Sequence, residues 1–322
     1  ICTYNPHIYI YQRLLNAVLQ FDECNVTHEV IIVDNNSLYS LSDNENVKLF
    51  LKQKKNSKLV IQVKQGLTAA RISGIELAKN DWVIFFDDDN EPAQDYLVKA
   101  AEVIEQHPQV GAWGPGNVEV EYVDGNNTWL EKQKGMFQQR NSKNIQFDRQ
   151  QQWQECYPFG TGLIIKKNIA AEYAKRIMDG RYTLSDRKGK SLSSGGDVQM
   201  VLTCIQMGHA AGVANEIFMH HLIQASKVKF SYMLKLMYST ASAYIKAYNQ
   251  VFVNDTIKVS GATDLLILKQ ALFHCKKYLK EGNGRSVMLA LANKLGQINA
   301  AYVSDEQMRK PFLLTLFEKA FL

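Results

Sequence analysis

Apolar runs that end abruptly in polar, turn-forming residues set the reading of this chain. Residues 82–86 read WVIFF, and residues 87–92 follow as DDDNEP. A short aromatic and β-branched run without polar alternation predicts a strand buried on both faces, ended by the polar residues and proline. Residues 29–33 (EVIIV) repeat the pattern and end in Asp34, Asn35, Asn36 and Ser37, and residues 58–63 predict a third strand. Residues 1–6 (ICTYNP) have the form of a strand tail entering a loop. Between these runs, apolar positions fall at helical spacing. Ile10, Leu14, Leu15, Val18 and Leu19 mark a helix over 7–21, and Ala70, Gly74 and Ala78 form a small-residue stripe over 67–79. Residues 92–106 predict another helix. Strands alternating with helices predict right-handed βαβ units, a mostly parallel sheet and an α/β fold. The acids then stand at the carboxyl ends of strands, where open α/β sheets place their ligands.

The middle of the chain has a different texture. Residues 111–116 are glycine-rich and apolar, and 117–123 alternate like an exposed strand. Residues 124–153 are rich in Gln, Asn and Lys and predict a polar excursion containing helix. Residues 157–165 return to the core, with Gly160 and Gly162 flanking Thr161, so the backbone there either meets a ligand closely or simply turns. Residues 182–196 are polar and basic, as expected of a mobile loop, and residues 198–207 are helical. From about 226 the pattern becomes helical throughout: 230–248, 264–279 and 286–300, then a basic amphipathic segment over 308–322. The expected division is a first domain over 1–222 and a helical C-terminal region over 223–322.

Composition narrows the class. The 322 residues are 46% apolar and 21% charged, ordinary for a globular protein. No uninterrupted apolar stretch spans a bilayer, and no signal peptide is evident. The chain opens at Ile1 inside a strand pattern, so a few preceding residues are expected to be missing. A net charge of +5 suits an anionic ligand or an anionic membrane surface, and no basic-aromatic pattern points to nucleic acid. Five scattered cysteines with no CxxC pair argue for reduced, mostly buried thiols in a reducing cytoplasm.

The chemistry concentrates in Asp87, Asp88 and Asp89. Three adjacent carboxylates repel one another, and a divalent cation carrying phosphate oxygens would relieve them. The plainer alternative is a solvated acidic turn in which Asp88 or Asn90 caps the next helix. Asp197, at a helix start after Gly195 and Gly196, reads as an N-cap or as a catalytic carboxylate. His220 and His221 read as buried, satisfied imidazoles or as a ligand. Neither GxGxxG after the first strand nor GxxxxGK[ST] occurs, which argues against a dinucleotide dehydrogenase and a P-loop NTPase.

Taken in order, Thr3-Tyr4-Asn5-Pro6, Val33 to Ser37, Gly66 through Arg71 and Gly74, Asp87-Asp88-Asp89, Gly160-Thr161-Gly162 and Gly196-Asp197 resemble one family. It is the family 2 glycosyltransferases of the GT-A fold, and the resemblance covers residues 1 to about 222. It implies inverting transfer of a sugar from a nucleotide diphosphate sugar, with a UDP-sugar first among donors, to a glycan or lipid-linked glycan acceptor. It implies a Rossmann-like sheet flanked by helices, and synthesis of a bacterial surface polysaccharide on the cytoplasmic side. Peripheral contact with the inner membrane face and a homodimer are compatible with it. It implies that Asp34 reads the base, that Thr3, Tyr4, Asn5, Asn36 and Asp88 border the nucleotide, and that Arg71 lies near the diphosphate. Asp87 would face ribose or metal, and Asp89 would ligate Mn²⁺ or Mg²⁺, with His221 (His220 second) a further metal or diphosphate contact. Asp197 matches the catalytic base. Gly160, Thr161, Gly162, Gly196 and Arg187 would line the acceptor or donor sugar. The chain departs from the family where Gly196 stands in place of a frequent Glu before the base, which leaves the acceptor site open. A sugar-nucleotidyltransferase and a non-catalytic sugar-nucleotide-binding scaffold are the rival readings.

Overall fold

Strand and helix starts follow the apolar runs closely. The computed structural model describes residues 1–22, 26–184, 186–187, 192, 194–281 and 283–322, with the side chains of 277 and 279–281 excluded. Cys24 and residues 185, 188–191 and 193 of the expected mobile loop lie outside the described residues. Two compact units divide the chain: Ile1–Arg181 with Asp197–Ile223, and Tyr182–Gly196 with Gln224–Leu322.

The first unit opens with β1 (Cys2–Thr3), α1 (Ile8–Leu19), β2 (Val30–Asp34), α2 (Glu45–Gln53), β3 (Ser57–Ile61), α3 (Leu67–Leu77), β4 (Trp82–Phe85), β5 (Asn90–Pro92) and α4 (Tyr96–Gln106). It continues with β6 (Val110–Tyr122), α5 (Thr128–Glu131), β7 (Arg140–Asn141), β8 (Gln146–Asp148), β9 (Leu163–Lys166), α6 (Lys167–Met178), α7 (Gly196–Gln206) and β10 (Ala210–Ile223). The strands β1, β2 and β3 pair in parallel in that order. The larger sheet runs β4, β9, β6, β10, β5, with β7 on β6 and β8 on β10. Within it β6 and β10 are parallel, while β4, β5 and β9 join antiparallel. Among the described residues a parallel bridge, Cys2 with Asp87, ties the two sheets, and Cys2 donates its N–H to the Phe86 carbonyl at 3.2 Å.

Helix α1 buries Ile10, Tyr11, Leu14, Leu15 and Val18 on one stripe, the period its sequence carries. Of these, Tyr11, Leu14, Leu15 and Val18 pack with Ile32, Phe86, Tyr96 and Trp113 in one core. The ring of Phe86 meets Tyr96 edge-on at 5.2 Å and Phe21 at 6.2 Å, so the residue just before the acids is fixed by aromatic packing.

Three expectations are corrected here. Trp82, Val83 and Ile84 are half-buried rather than enclosed on both faces. They line an apolar cleft of about 410 Å³ between β2 and β4, which also touches Ile1, Val30 and Ile31. Its lining holds none of Asp87, Asp88, Asp89 or Asp197, so this cleft is not the candidate site. Helix α4 starts at Tyr96, not at Pro92, because Asn90–Pro92 is held extended against Met219–His221. Residues 117–122 are the second half of a 13-residue strand whose first half contains the glycine-rich run, paired on both sides rather than exposed.

The second unit is helical: α8 (Phe230–Val251), α9 (Asp264–Glu281), α10 (Gly284–Ser304) and α11 (Phe312–Phe321). Helices α8 and α10 approach backbone to backbone at Gly296, where a Cβ would stand 2.4 Å from the Tyr238 carbonyl oxygen. The Ser242 hydroxyl donates to Tyr238 O, and Asn299 Nδ2 donates to Ser242 Oγ at 3.2 Å, which ties the two helices at this crossing. Helix α11 docks on α8 through Leu314 and Phe317, with the Tyr238 hydroxyl donating to Glu318 at 2.7 Å. Among the described residues no helix is long and apolar enough to cross a membrane.

Candidate active site

Each of the three adjacent acids finds a different partner, which is how the fold accommodates them side by side. The Thr3 hydroxyl donates to Asp88 Oδ2 at 2.7 Å. Arg71 brings its Nη2 to 4.0 Å from Asp87 Oδ1, from a side chain buried in α3. The Asn90 amide donates to Asp89 Oδ1 at 3.2 Å, and His221 Nε2 lies 3.4 Å from Asp89 Oδ2. A tight turn aims them: Asp87 N–H donates to Asn90 Oδ1 at 3.0 Å and Asn90 N–H to the Asp87 carbonyl at 3.1 Å. Asn90 is fully buried, and Leu222 N–H donates to the Asp89 carbonyl at 2.8 Å, so strand β10 fixes the last acid.

The end of β2 is built by side-chain mimicry of backbone. Asp34 is buried and accepts the Ser37 N–H on Oδ1 at 3.0 Å. Asn36 takes φ +62° and Asn5 φ +49°, the left-handed conformation that Asn tolerates. Asn5 Oδ1 accepts Leu38 N–H at 2.8 Å and its own N–H donates to Ser37 Oγ at 2.9 Å, so the two loops hold each other. Tyr4 stands on the exposed rim. The sequence reading missed Asn35. Its Oδ1 accepts Gly66 N–H at 2.6 Å and its Nδ2 donates to the Gln62 and Lys64 carbonyls, fastening the entry of α3 and thus Arg71. A buried Asn directly after a strand-end Asp is the signal that could have found it.

Asp197 enters from the first turn of α7. Its Oδ2 accepts the Gly160 N–H at 2.8 Å. A Cβ added at Gly160 would lie 3.0 Å from Asp197 Oδ2 and 3.2 Å from Arg71 Nη2, so both side chains line the same small space. Asp197 is therefore held by another segment's backbone, not spent on capping its own helix. Thr161 is buried beside it in sequence. Gly162 has φ +68°, and a Cβ there would stand 2.6 Å from the Tyr96 hydroxyl, which donates to the Gly162 carbonyl at 2.7 Å. Strain and overpacking together give Gly162→Ala an expected cost of about 1–3 kcal/mol. Thermal unfolding checks this, with an unchanged melting temperature the contrary result. Gly196 is the first residue of α7, and Arg187 donates its N–H to its neighbour Asp186 at 3.1 Å. Both belong to the second unit.

His221 and His220 separate clearly. His221 is buried, and its Nδ1 stands 2.8 Å from the Phe137 carbonyl, which can only accept. Nδ1 therefore carries a proton, and Nε2 is the ring nitrogen directed at Asp89. An imidazole Nε2 and a carboxylate oxygen converging at 3.4 Å are a donor set that a shared cation could take up, and the carbonyl behind the imidazole is the usual outer support of a metal-ligating histidine. His220 points away, 3.9 Å from Glu119 and edge-on to Phe218 at 4.8 Å. Among the described residues no three His, Cys, Asp or Glu side chains form a preassembled metal group. Asp89 and His221 would supply two ligands, leaving the remainder to phosphate and water, as suits Mg²⁺ or Mn²⁺.

Two further contacts frame the site. Burial and the Asp88 and Asp34 carboxylates push the Tyr11 phenol up, so it stays protonated beneath the acids. Arg140 lies over the Phe159 ring at 4.4 Å and donates to the Glu155 and Tyr157 carbonyls, bracing the segment that leads into Gly160. Burial lowers its guanidinium from the ordinary value.

The sequence profile of glycosyl transferase family 2 matches residues 1–174. No curated protein matches the chain in sequence. Among solved structures it is similar to a Pyrobaculum calidifontis mannosyltransferase in complex with GDP-Man and Mn²⁺, at 15% identity and TM-score 0.52, covering 99% of this chain and 76% of that one. It is also similar to GalNAc-T7 with UDP, GalNAc and Mn²⁺, at 15% identity and TM-score 0.49, over 78% of this chain, and it spans 47% of the GalNAc-T7 chain. S. aureus TarS 1–349 in complex with UDP-GlcNAc matches at 14% identity and TM-score 0.46, covering 95% of this chain and 89% of that one.

Proposed function

The chain belongs to glycosyl transferase family 2, and we propose that it moves a sugar, with inversion, from a nucleotide diphosphate sugar to a hydroxyl of a glycan or lipid-linked glycan. The observation that carries this is the division of labour among its carboxylates. Asp89 faces the His221 imidazole, whereas Asp197 lies in the space beside Gly160 and Arg71. One in-line displacement needs a base on the incoming hydroxyl and charge neutralisation on the leaving group, at separate places.

Asp34 accepts one N–H from Ser37, which leaves Oδ2 to accept a ring N–H of the base. That suits the single ring N–H of uracil and disfavours cytosine, so UDP-sugars are the first donors to test. The loops of Asn5 and Asn36 border the nucleoside. Arg71, near Asp87, faces the diphosphate. Asp89 and His221, with Asp87 nearby, would hold a Mn²⁺ or Mg²⁺, which would supply Lewis-acid neutralisation of the diphosphate charge. Asp197 takes the proton of the acceptor hydroxyl. The Gly160 N–H on Oδ2 fixes the orientation of this carboxylate. A bacterial surface glycan on the cytoplasmic side of a membrane is the setting we assign to this activity.

The test is release of nucleotide diphosphate from a panel of UDP- and GDP-sugars with Mn²⁺, followed by the anomeric configuration of the product by NMR. Metal-dependent release and an inverted anomer are expected. A retained anomer, or no turnover of any nucleotide sugar with any sugar acceptor, would overturn the reading.

A further inference from the structure

The second unit carries an apolar face that its own core leaves uncovered. On α9, Ile267 and His274 are buried, while Leu265 (61% exposed), Leu268 (46%), Leu272 (53%) and Phe273 (62%) face outward. Leu265, Leu268, Lys269, Leu272 and Lys276 follow helical spacing down one outward stripe, with Leu266 and Phe273 along its flank. Leu313 N–H donates to Asp264 Oδ1 at 2.7 Å, which brings the start of α11, with Phe312 70% exposed, to the first turn of α9. This face was not evident from the sequence, where the amphipathic signal was read at 308–322.

Charge says what covers it. Residues 224–322 hold 14 Lys and Arg against 6 Asp and Glu, a formal +8, whereas residues 1–223 hold 23 against 26, a formal −3. Between its end residues α9 has four lysines and no acid. Lysines interleaved with leucine on one helical face bury their stems and keep the ammonium at a headgroup layer, as interfacial helices do. A two-fold contact with a second copy would instead press Lys269 and Lys276 toward like charges. We propose that α9, with Phe312 beside its first turn, seats the second unit on an anionic lipid surface. The inference is independent of the transfer chemistry, since none of these residues belongs to the candidate active site.

Co-sedimentation of the whole chain with phosphatidylcholine vesicles, with and without phosphatidylglycerol, tests it. Binding is expected only with the anionic lipid, weakening as salt rises. Leu268→Asp/Leu272→Asp is expected to lower the partition coefficient by about tenfold or more at an unchanged melting temperature. Lys269→Glu/Lys276→Glu is expected to erase the preference for the anionic vesicles. Equal or absent binding to both vesicle types, or binding untouched by the leucine variant, would overturn the proposal. So would a mass that doubles with concentration in sedimentation and reverts in the leucine variant, which would give the face to a second copy.

Discussion

Asp197→Asn is expected to cut turnover by about 10²–10⁴-fold while leaving donor binding in place. The amide is nearly isosteric and keeps an oxygen that can accept the Gly160 N–H, now met at 2.8 Å, so the space shared with Arg71 persists. What the amide cannot do is take a proton from the acceptor hydroxyl. The loss should therefore fall on kcat, with the KM for the donor and the nucleotide-induced thermal shift close to wild type. Initial rates, paired with thermal shifts, check both halves. Turnover within a few-fold of wild type would move the base to another residue. Equal loss of nucleotide binding would make Asp197 a support of the donor site instead.

Local signals carried much of the fold into view. The runs at 30–34 and 82–86 are apolar until a carboxylate ends them, and that abrupt change is a property of neighbouring residues alone. The helical stripe of α1 is equally local. Pairing is not local. Pro92 reads as a helix start, yet Ala93 N–H donates to the Phe218 carbonyl and Asn90–Pro92 pairs with β10, so a long-range ladder overrides a local preference. At the candidate site, the acids were legible from their clustering, but their partners were not. The carbonyl that orients His221 belongs to Phe137, 84 residues away in a polar stretch that looked like surface decoration. Asn35 looked like one more turn former, although it holds three backbone groups at once.

Asp89→Ala is expected to abolish metal-dependent donor binding. Its carbonyl, which accepts Leu222 N–H, is retained in the variant, and removing one of three crowded carboxylates offsets part of what is lost when the buried Asn90 amide loses its acceptor. The ligand-free melting temperature should thus fall by the equivalent of no more than about 1–3 kcal/mol. In the wild type, a nucleotide diphosphate with Mn²⁺ at 100 times its Kd stabilises by about 2.7 kcal/mol, a shift of about 5–10 °C for a unit of this size. The variant should show none of it. His221→Ala gives the complementary signature. It removes the second ligand and also leaves the buried Phe137 carbonyl without its donor, so the ligand-free melting temperature falls by the equivalent of about 1–3 kcal/mol while the metal-dependent shift also vanishes. The two variants therefore agree on binding. A wild-type shift that needs no metal, or one that survives in Asp89→Ala, would remove the cation from Asp89 and His221. The short Asp89–His221 approach would then be an ion pair within the protein, with the diphosphate left to Arg71.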